Sequence, residues 1–429
     1  MPIAVSATLA VNEAITLRRR QGLPVLPMGF GEAGLPVHPV MRDALSTGGD
    51  QNGYGPVAGL RELREAAAGY WGRRGLSTDP DLVVAGPGSK PLLYALVLAV
   101  GGDIAVAAPS WVSYAAQTQL AGGRPLLVPT LPGQGGVPDP ELLARAVAEA
   151  RAAGREVRAV ITTCPDNPTG TVASRDTVRR LAEAARDLDL VVISDEIYRD
   201  LVHDPATVVH SPAEFAPERT VVTTGLSKNL ALGGWRIGVA RLPHGERGRL
   251  LHADLLGIAS EIWSSPSGPV QRAAAYAFGE PPEIVDLIDR SRRLHGAVAH
   301  AVADRFRAAG ATVVAPQAAF YLYPDFGAWR ERLAAEHGVT SGPDLTRMLL
   351  DRYGMGVLPA AEFGESVDAL RMRVATSLLY GETEAQRASA LAAEDPVALP
   401  WIRAHLDRLS EVLDDVGSEQ PTALHAMAG

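Results

Sequence analysis

The sequence has a single cysteine, Cys164, among its 429 residues, and aromatic residues make up only 5% of it. One thiol excludes an internal disulfide and a zinc site built from several cysteines. Long apolar runs are also missing, because the longest strongly apolar stretch, residues 91–100, is well short of the ~20 residues that a membrane-spanning helix needs. The sequence therefore predicts no metal centre and no transmembrane segment.

Excess basic charge is absent as well. The chain has 40 Lys+Arg against 49 Asp+Glu, a formal net charge of −9, which argues against general nucleic-acid binding. The first arginines come late, at residues 18–20, which is the reverse of a secretory signal and predicts a cytoplasmic location. Apolar residues make up 47% of the chain, enough to bury a large core.

Five short apolar runs share one pattern, in which each breaks at Gly, Pro or a polar residue. Helical patterns lie between several of them, including an apolar segment at residues 90–100 and an amphipathic one at 174–188 that begins with Ser174 as a candidate N-cap. Alternating strands and helices predict an α/β fold with a mainly parallel, doubly wound sheet, and ligands of such sheets bind beyond the carboxyl ends of the strands. The predicted strands are residues 82–85, 104–108, 157–163, 190–194 and 221–224.

The pattern changes after about residue 285. A long helix is predicted at residues 291–309, short strands at 311–315, 319–323 and 370–375, and a last helix at 400–416. We interpret this as a second, smaller α+β domain. The predicted organisation is an N-terminal segment, residues 1–40, that packs with the small domain, a large ligand-binding domain, residues 41–288, and the small C-terminal domain, residues 289–429.

The strongest chemical signal is Lys228, which follows a buried strand in a segment with few other charges. Burial lowers the pKa of an ammonium group and makes the amine a nucleophile, although a lone lysine in a loop is usually a surface residue. Ser227 lies beside it and Arg236 follows eight residues later, so a hydroxyl and a cation suited to a phosphate accompany the amine.

Three further motifs follow predicted strands. Asp195 is either a turn-forming or capping residue or a buried carboxylate that must meet a cation. Asn167 lies in a Pro-Asp-Asn-Pro-Thr-Gly turn, where its amide could donate to a ligand oxygen. The segment from Gly86 to Lys90 runs from a strand into a helix, whose first backbone N–H groups form an anion site.

Together these motifs resemble the aspartate aminotransferase superfamily, the fold-type I enzymes that use pyridoxal 5′-phosphate. The resemblance covers nearly the whole chain and includes the ordered set Asn167, Asp195 and Lys228, with Gly-Trp-Arg-Ile-Gly behind the lysine. The remaining matching segments are Ser6-Ala-Thr-Leu-Ala, Gly31-Glu32, Gly53-Tyr-Gly-Pro-Val-Ala-Gly-Leu-Arg-Glu-Leu-Arg64 and Leu370-Arg-Met-Arg-Val-Ala-Thr-Ser377.

The resemblance assigns roles around the cofactor ring. Lys228 matches the lysine that forms the Schiff base and moves the proton during the reaction. Asp195 matches the acid that keeps the pyridine nitrogen protonated, and Tyr198 and Asn167 match the pair that hydrogen-bonds the phenolic oxygen. Trp111 resembles the aromatic residue that stacks on the ring, although a tryptophan near a strand end is more often plain core.

The resemblance also implies how the phosphate is bound. The backbone amides of Ser89 and Lys90, the Ser227 hydroxyl and Arg236 would hold it. Tyr54 matches a tyrosine that each subunit of family dimers supplies to its neighbour, which implies a homodimer with a composite active site. The Lys90 side chain is either a solvent- or phosphate-facing charge or a contact for the distal carboxylate of an acidic substrate.

For the substrate, Arg371 matches the arginine that clamps the α-carboxylate, and Arg373 is a rival two residues away. Gly31 would let the backbone approach the same carboxylate. The sequence departs from the family pattern at Gly225, where serine or threonine is usual, at Ala318 and Ala360, where glycine is usual, and in an insertion at residues 379–400.

The leading function is therefore an aminotransferase that moves an amino group between an L-amino acid and a 2-oxo acid. Another reaction of the same cofactor on the same scaffold, such as elimination, cyclisation or an oxidase-type reaction, is the alternative. A DNA-binding regulator of this fold is disfavoured, because such proteins carry an N-terminal winged-helix domain, whereas here the matching segments begin at about residue 6 and the net charge is −9.

Overall fold

The computed structural model describes residues 6–417. This part of the chain divides into two compact units. The large unit comprises Pro36–Asn167 and Thr171–Arg292, and the small unit comprises residues 6–35, 168–170 and 293–417. No helix among the described residues is both long and apolar enough to cross a bilayer.

The described chain is built from α-helices and short strands. The α-helices are α1 (Ala7–Arg20), α2 (Pro39–Thr47), α3 (Arg61–Arg73), α4 (Ser89–Val100), α5 (Val112–Leu120), α6 (Pro140–Ala152), α7 (Arg175–Asp187), α8 (Glu246–Ile262), α9 (Gly268–Phe278), α10 (Pro282–Ala308), α11 (Arg330–His337), α12 (Gly342–Tyr353), α13 (Glu384–Ala392) and α14 (Pro400–Gly417). The strands are β1 (Leu26–Pro27), β2 (Val83–Gly86), β3 (Asp103–Ala108), β4 (Pro125–Pro129), β5 (Val157–Thr163), β6 (Val191–Asp195), β7 (Thr220–Gly225), β8 (Gly238–Arg241), β9 (Tyr321–Leu322), β10 (Met355–Gly356), β11 (Leu358–Pro359) and β12 (Met372–Ala375).

The large unit contains a seven-stranded sheet in the order β2-β8-β7-β6-β5-β3-β4. Neighbouring strands from β7 to β4 run parallel, whereas β8 is antiparallel to both β7 and β2. Every residue of β6 and β7 is buried, as expected of central strands covered on both faces. The structure therefore confirms the α/β fold class with a mainly parallel sheet. The sequence analysis missed β4 and β8.

Local sequence explains the helices around this sheet. α4 is apolar on nearly all sides and lies in the large unit's hydrophobic core, as predicted for residues 90–100. α7 begins after Ser174, whose Oγ accepts a hydrogen bond from the Thr177 amide at 3.2 Å. Its apolar face buries Val178, Leu181 and Ala185. Such an N-cap stabilises a helix by about 1 kcal/mol.

The small unit combines helices with two small sheets. β12 lies between β11 and β9 and is antiparallel to both, and β1 pairs in parallel with β10. The predicted strand at residues 370–375 and helix at 400–416 are confirmed as β12 and α14. The predicted strand at residues 311–315 is wrong, because this segment forms only one bridge, from Thr312 to Asp325.

Candidate active site

Three turns of the large unit begin where three neighbouring parallel strands end. β5, β6 and β7 lie side by side, with Thr163 opposite Asp195 and Asp195 opposite Thr223. Asp195 is the last residue of β6, while Asn167 and Lys228 lie in the turns that follow β5 and β7. The sheet therefore brings the three predicted residues to one edge, where open α/β sheets bind their ligands.

Asp195 is 3% exposed, and two hydroxyl groups hold its carboxylate. Tyr114 Oη donates to Oδ2 at 2.9 Å, and Thr223 Oγ1 donates to Oδ1 at 3.3 Å. Burial raises the pKa of Asp195 to about 6 and outweighs these hydrogen bonds, which act to lower it. Because the charged form is disfavoured here, a cation beside the carboxylate would restore its ionisation.

Tyr114 is a residue to which the sequence analysis gave no role. It is 2% exposed, and its Oη lies 2.6 Å from Thr163 Oγ1 as well as within reach of Asp195. Burial, reinforced by the negative charge of Asp195, holds the pKa of Tyr114 well above its usual value, so the hydroxyl remains a donor. Tyr114 follows Trp111 by three residues in the sequence, but a helix pattern alone does not show that its hydroxyl reaches β6.

Lys228, Tyr198 and Asn167 lie close together near the end of β6, the strand that carries Asp195. Lys228 Nζ is 5.9 Å from the centroid of the Tyr198 ring, and Asn167 Nδ2 donates to Tyr198 Oη at 3.5 Å. Asn167 and Tyr198 are buried, at 4% and 3% exposure, whereas Lys228 is half-buried. The arrangement places an amine, a phenol and an amide where they can act on one planar ligand.

A cluster of positive charge lies at the start of α4. A Cβ on Gly88 would come within 2.6 Å of Arg236 Nη2, and a Cβ on Gly238 would come within 2.5 Å of the Ser89 backbone nitrogen. Gly238 is therefore required by its close packing against backbone atoms, and Gly88 is required by its φ of +103°, which residues with side chains rarely adopt. Burial and the charge of Arg236 lower the pKa of Lys90. Two cations at the N-terminus of a helix form an anion-binding site.

Ser227 and Trp111 border this cluster. Arg236 Nη1 donates to the Gly233 carbonyl at 2.8 Å. Gly233 in turn lies close to Ser227, because a Cβ added to Gly233 would be 3.9 Å from the Ser227 carbonyl oxygen. Trp111 is half-buried, and its ring is 5.0 Å from Lys90 Nζ. The same ring packs edge-on against Tyr114 at 5.2 Å between centroids. Trp111 therefore connects the anion site with the residues around Asp195.

Tyr54 is 96% exposed on the large unit. Its loop is tied down one residue later, where the Gly55 amide donates to Ser265 Oγ at 3.2 Å. Such an exposed aromatic side chain on a tethered loop is available to a second molecule. Within residues 6–417, no group of three or more His, Cys, Asp or Glu side chains is arranged to hold a metal ion.

The two candidate substrate arginines have different environments in the small unit. Arg371 is exposed, and its guanidinium binds Asp325 at 2.8 Å and Glu365 at 3.0 Å. Arg373 is 1% exposed, donates to the Gly29 carbonyl at 2.5 Å, and lies 5.2 Å from the Tyr321 ring centroid. A carboxylate ligand at Arg371 would compete with two carboxylates already bound there.

Gly31 lies near the same aromatic residue. A Cβ at Gly31 would come within 2.4 Å of Tyr321 Oη, so the missing side chain leaves room for this hydroxyl. A similar constraint explains the departure at Gly225, where a Cβ would lie 2.8 Å from the Ile237 carbonyl oxygen. A serine or threonine does not fit at that position without a backbone shift. Residues 379–400, which the sequence analysis predicts to be an insertion, contain α13 and a short 3-10 helix, Pro396–Ala398.

Comparison with known proteins identifies relatives over most of the chain. The family model described as aminotransferase class I and II matches residues 27–379. The chain is 33% identical over 368 residues to a probable aspartate/prephenate aminotransferase of Thermus aquaticus, covering 83% of this chain and 89% of that protein. It is 32% identical over 394 residues to the aspartate aminotransferase of Geobacillus stearothermophilus, covering 89% and 95%.

A similar match is found among solved structures. The aspartate aminotransferase of Thermus thermophilus, solved with maleate, superposes with a TM-score of 0.79 at 28% sequence identity. The match covers 96% of this chain and 97% of that one. Sequence and fold therefore identify the same relatives.

Proposed function

The chain belongs to the class I and II aminotransferase family and is a transaminase, and from this premise we propose a role for each site residue. The reaction moves an amino group between an L-amino acid and a 2-oxo acid. The observation that carries the proposal is the meeting of Lys228, Asp195, Asn167 and Tyr198 at one sheet edge. The alternative reactions of the same scaffold are not favoured, because the relatives reported above are named aminotransferases.

The residues of the large unit fit pyridoxal 5′-phosphate. Asp195 is a buried carboxylate with a raised pKa, which suits a protonated ring nitrogen. Arg236 and the first backbone amides of α4 lie together at the start of the helix, which suits a phosphate. When bound, this cofactor supplies an electron sink that stabilises negative charge on the substrate Cα.

Four residues are proposed to act on the ring. Lys228 holds the cofactor covalently through Nζ and, once released, moves a proton to or from the substrate Cα. Asp195 keeps the ring nitrogen protonated, with Tyr114 fixing its carboxylate. Tyr198 and Asn167, which hydrogen-bond each other, donate to the ring's phenolic oxygen.

Other residues are proposed to hold the phosphate and cover the ring. The backbone amides of Ser89 and Lys90, at the start of α4, would donate to the phosphate, and Ser227 and Arg236 would add a hydroxyl and a bidentate cation. Trp111 stacks on the ring. The exposed Tyr54 is proposed to reach the phosphate of a second copy of the chain, which makes the enzyme a homodimer.

For the substrate carboxylate, the motif selects Arg371 and the geometry of the small unit favours Arg373. Arg373 is buried, whereas Arg371 is exposed and bound by two carboxylates. We therefore propose that Arg373 binds the α-carboxylate, with Gly31 shaping the backbone near Tyr321. Arg371 is the rival that the experiments below separate from it.

The relatives named for aspartate and prephenate support a dicarboxylic amino donor such as aspartate. The Lys90 side chain is the cation proposed to recognise its distal carboxylate. We also propose a cytoplasmic enzyme with an N-terminal segment, residues 1–40, a cofactor-binding domain, residues 41–288, and a C-terminal domain, residues 289–429. In support, all the predicted cofactor-binding residues lie in the large unit.

A half-reaction assay tests this function. Purified protein loaded with pyridoxal 5′-phosphate should absorb near the boundary between visible and ultraviolet light. Addition of aspartate without an acceptor should convert this band to that of the pyridoxamine form, and a 2-oxo acid should restore it. Transamination is wrong if no amino donor from a panel of acidic, aromatic and aliphatic amino acids produces the conversion.

A further inference from the structure

A buried carboxylate outside the ring-binding set joins three segments of the large unit. Asp200 lies two residues after Tyr198, in the 3-10 helix Arg199–Leu201, and its side chain is 9% exposed. It accepts hydrogen bonds from Tyr70 Oη at 3.0 Å, from Arg74 Nη2 at 2.8 Å and from Asn229 Nδ2 at 3.0 Å. The donors come from α3, from its C-terminal end and from the turn after β7.

Asn229 is the residue that brings the lysine turn into this network. It directly follows Lys228 and is 5% exposed. Its Nδ2 donates to Asp200, while its Oδ1 is buried and accepts no hydrogen bond from any residue between 6 and 417. The contact with Asp200 is therefore what holds the Asn229 amide within the described structure.

Tyr70 and Arg74 anchor Asp200 to the C-terminal part of α3 and, through their own contacts, to the C-terminal end of α9. The Tyr70 ring packs edge-on against Phe278 of α9, with 5.4 Å between centroids. The Arg74 guanidinium lies 3.6 Å from the centroid of the Tyr70 ring and also binds Glu280 at 2.6 Å. Burial and the negative charge of Asp200 raise the pKa of Tyr70, so its hydroxyl stays a donor.

We infer that Asp200 is a positioning residue, which links the turn carrying Tyr198 to the turn carrying Lys228 through Asn229 and fixes both on α3. The inference rests on the proposed function of Lys228 and Tyr198. It assigns to Asp200 and Asn229 an action through their neighbours in the chain, Tyr198 and Lys228, rather than on the cofactor itself.

The physical reason lies in the flexibility of lysine. Its amine sits on a four-carbon stem with many rotamers, so the position of Nζ depends on how firmly the backbone of Lys228 is held. A misplacement of about 1 Å at a reacting group lowers a rate about a hundredfold. A loosened Tyr198 also donates less well to the ring oxygen, which favours the protonated form of the bound cofactor.

The test compares holoenzymes of the wild type, Asn229→Ala and Glu280→Gln. Asn229→Ala breaks the link but leaves Asp200 bound to Tyr70 and Arg74. We expect the pH midpoint of the bound cofactor's absorbance change to move at least half a pH unit upward. The value of kcat should fall ten- to a hundredfold, with KM changed less than threefold. Glu280→Gln weakens the ion pairs of Glu280 with Arg73 and Arg74 and leaves the contact between Asp200 and Asn229 in place, so it should lower the thermal midpoint without moving the absorbance midpoint.

A second variant keeps the test decisive if Asn229→Ala does not fold. Asp200→Asn retains the shape of the side chain and weakens its hydrogen bonds to Tyr70, Arg74 and Asn229, so it should also move the absorbance midpoint upward, whereas loss of the negative charge by itself would move it downward. The double variant should move it no further than the larger single shift, because both changes break one link. A wild-type midpoint in both single variants, or additive shifts in the double variant, overturns the inference. A wild type that shows no cofactor band with any treatment overturns the proposed function instead.

Discussion

Replacement of Tyr114 by phenylalanine tests how the large unit controls the charge of Asp195. The change removes one hydroxyl that donates to Oδ2 at 2.9 Å, and it leaves the Thr223 hydrogen bond to Oδ1 in place. The aromatic ring is retained, so its edge-on packing against Trp111 is expected to persist. The change also removes the 2.6 Å hydrogen bond between Tyr114 Oη and Thr163 Oγ1, but it takes only one hydrogen bond away from the Asp195 carboxylate.

The size of the effect follows from the strength of that bond. A buried hydrogen bond to a charged group contributes about 1.5–3 kcal/mol, which corresponds to about a ten- to hundredfold change in proton affinity. The bond favours the ionised form and lowers the pKa of Asp195, so its loss raises that pKa above its present value of about 6. At mildly acidic pH, a larger share of Asp195 is then protonated and unable to pair with a ring cation.

The assay is the affinity of the apoenzyme for pyridoxal 5′-phosphate, titrated at pH 6.5 and pH 9. Tyr114→Phe should bind about tenfold more weakly than the wild type at pH 6.5 and nearly as well at pH 9. Tyr276→Phe is the matched control, because its hydroxyl binds Glu283 at a different place on the large unit. It should follow the wild type at both pH values. An equal loss of affinity at both pH values in Tyr114→Phe would refute the role of the hydrogen bond in ionisation.

Three further predictions follow from the same structure. Arg373→Lys should lower kcat/KM for amino donors about ten- to a hundredfold because the bidentate fork is lost, while Arg371→Lys should change it less than threefold. If steady-state kinetics show the larger loss in Arg371→Lys, Arg371 and not Arg373 binds the α-carboxylate. Lys90→Ala keeps the backbone amide and should raise KM for dicarboxylic donors several-fold while sparing neutral ones, and equal changes in both classes would exclude distal recognition. Because burial raises the pKa of Asp195, the free energy of unfolding of the apoenzyme should fall as pH rises from about 4 to about 6. The loss relative to Asp195→Asn should be on the order of 3 kcal/mol. The same pH dependence of the unfolding free energy in the two proteins would contradict this.

The sequence predicted the parts of the fold that depend on short-range patterns. The five apolar runs correspond to β2, β3, β5, β6 and β7, and Ser174 caps α7 as expected. β8 was missed because its Gly-Val-Ala-Arg is short and follows a glycine-rich turn. The predicted strand at residues 311–315 failed because strand formation needs a partner over several residues, and this segment has a single bridge.

The candidate site shows the same division. Motif order placed Asn167, Asp195 and Lys228 after three strands, and the sheet brings those strand ends to one edge. The roles of Tyr114 and Asp200 could not be predicted from the sequence, because they depend on contacts with distant residues: Tyr114 reaches Asp195, 81 positions away, and Asp200 reaches Asn229, 29 positions away. The choice between two arginines also needed the structure, since only burial and bound carboxylates separate them.

The most direct measurement is the position of the covalent bond between cofactor and protein. Borohydride treatment of the protein loaded with pyridoxal 5′-phosphate, followed by proteolysis and mass spectrometry, locates the lysine that carries the cofactor. We predict one labelled residue, Lys228, and no label in Lys228→Ala. A label on Lys90, or no label in the wild type, would contradict the account.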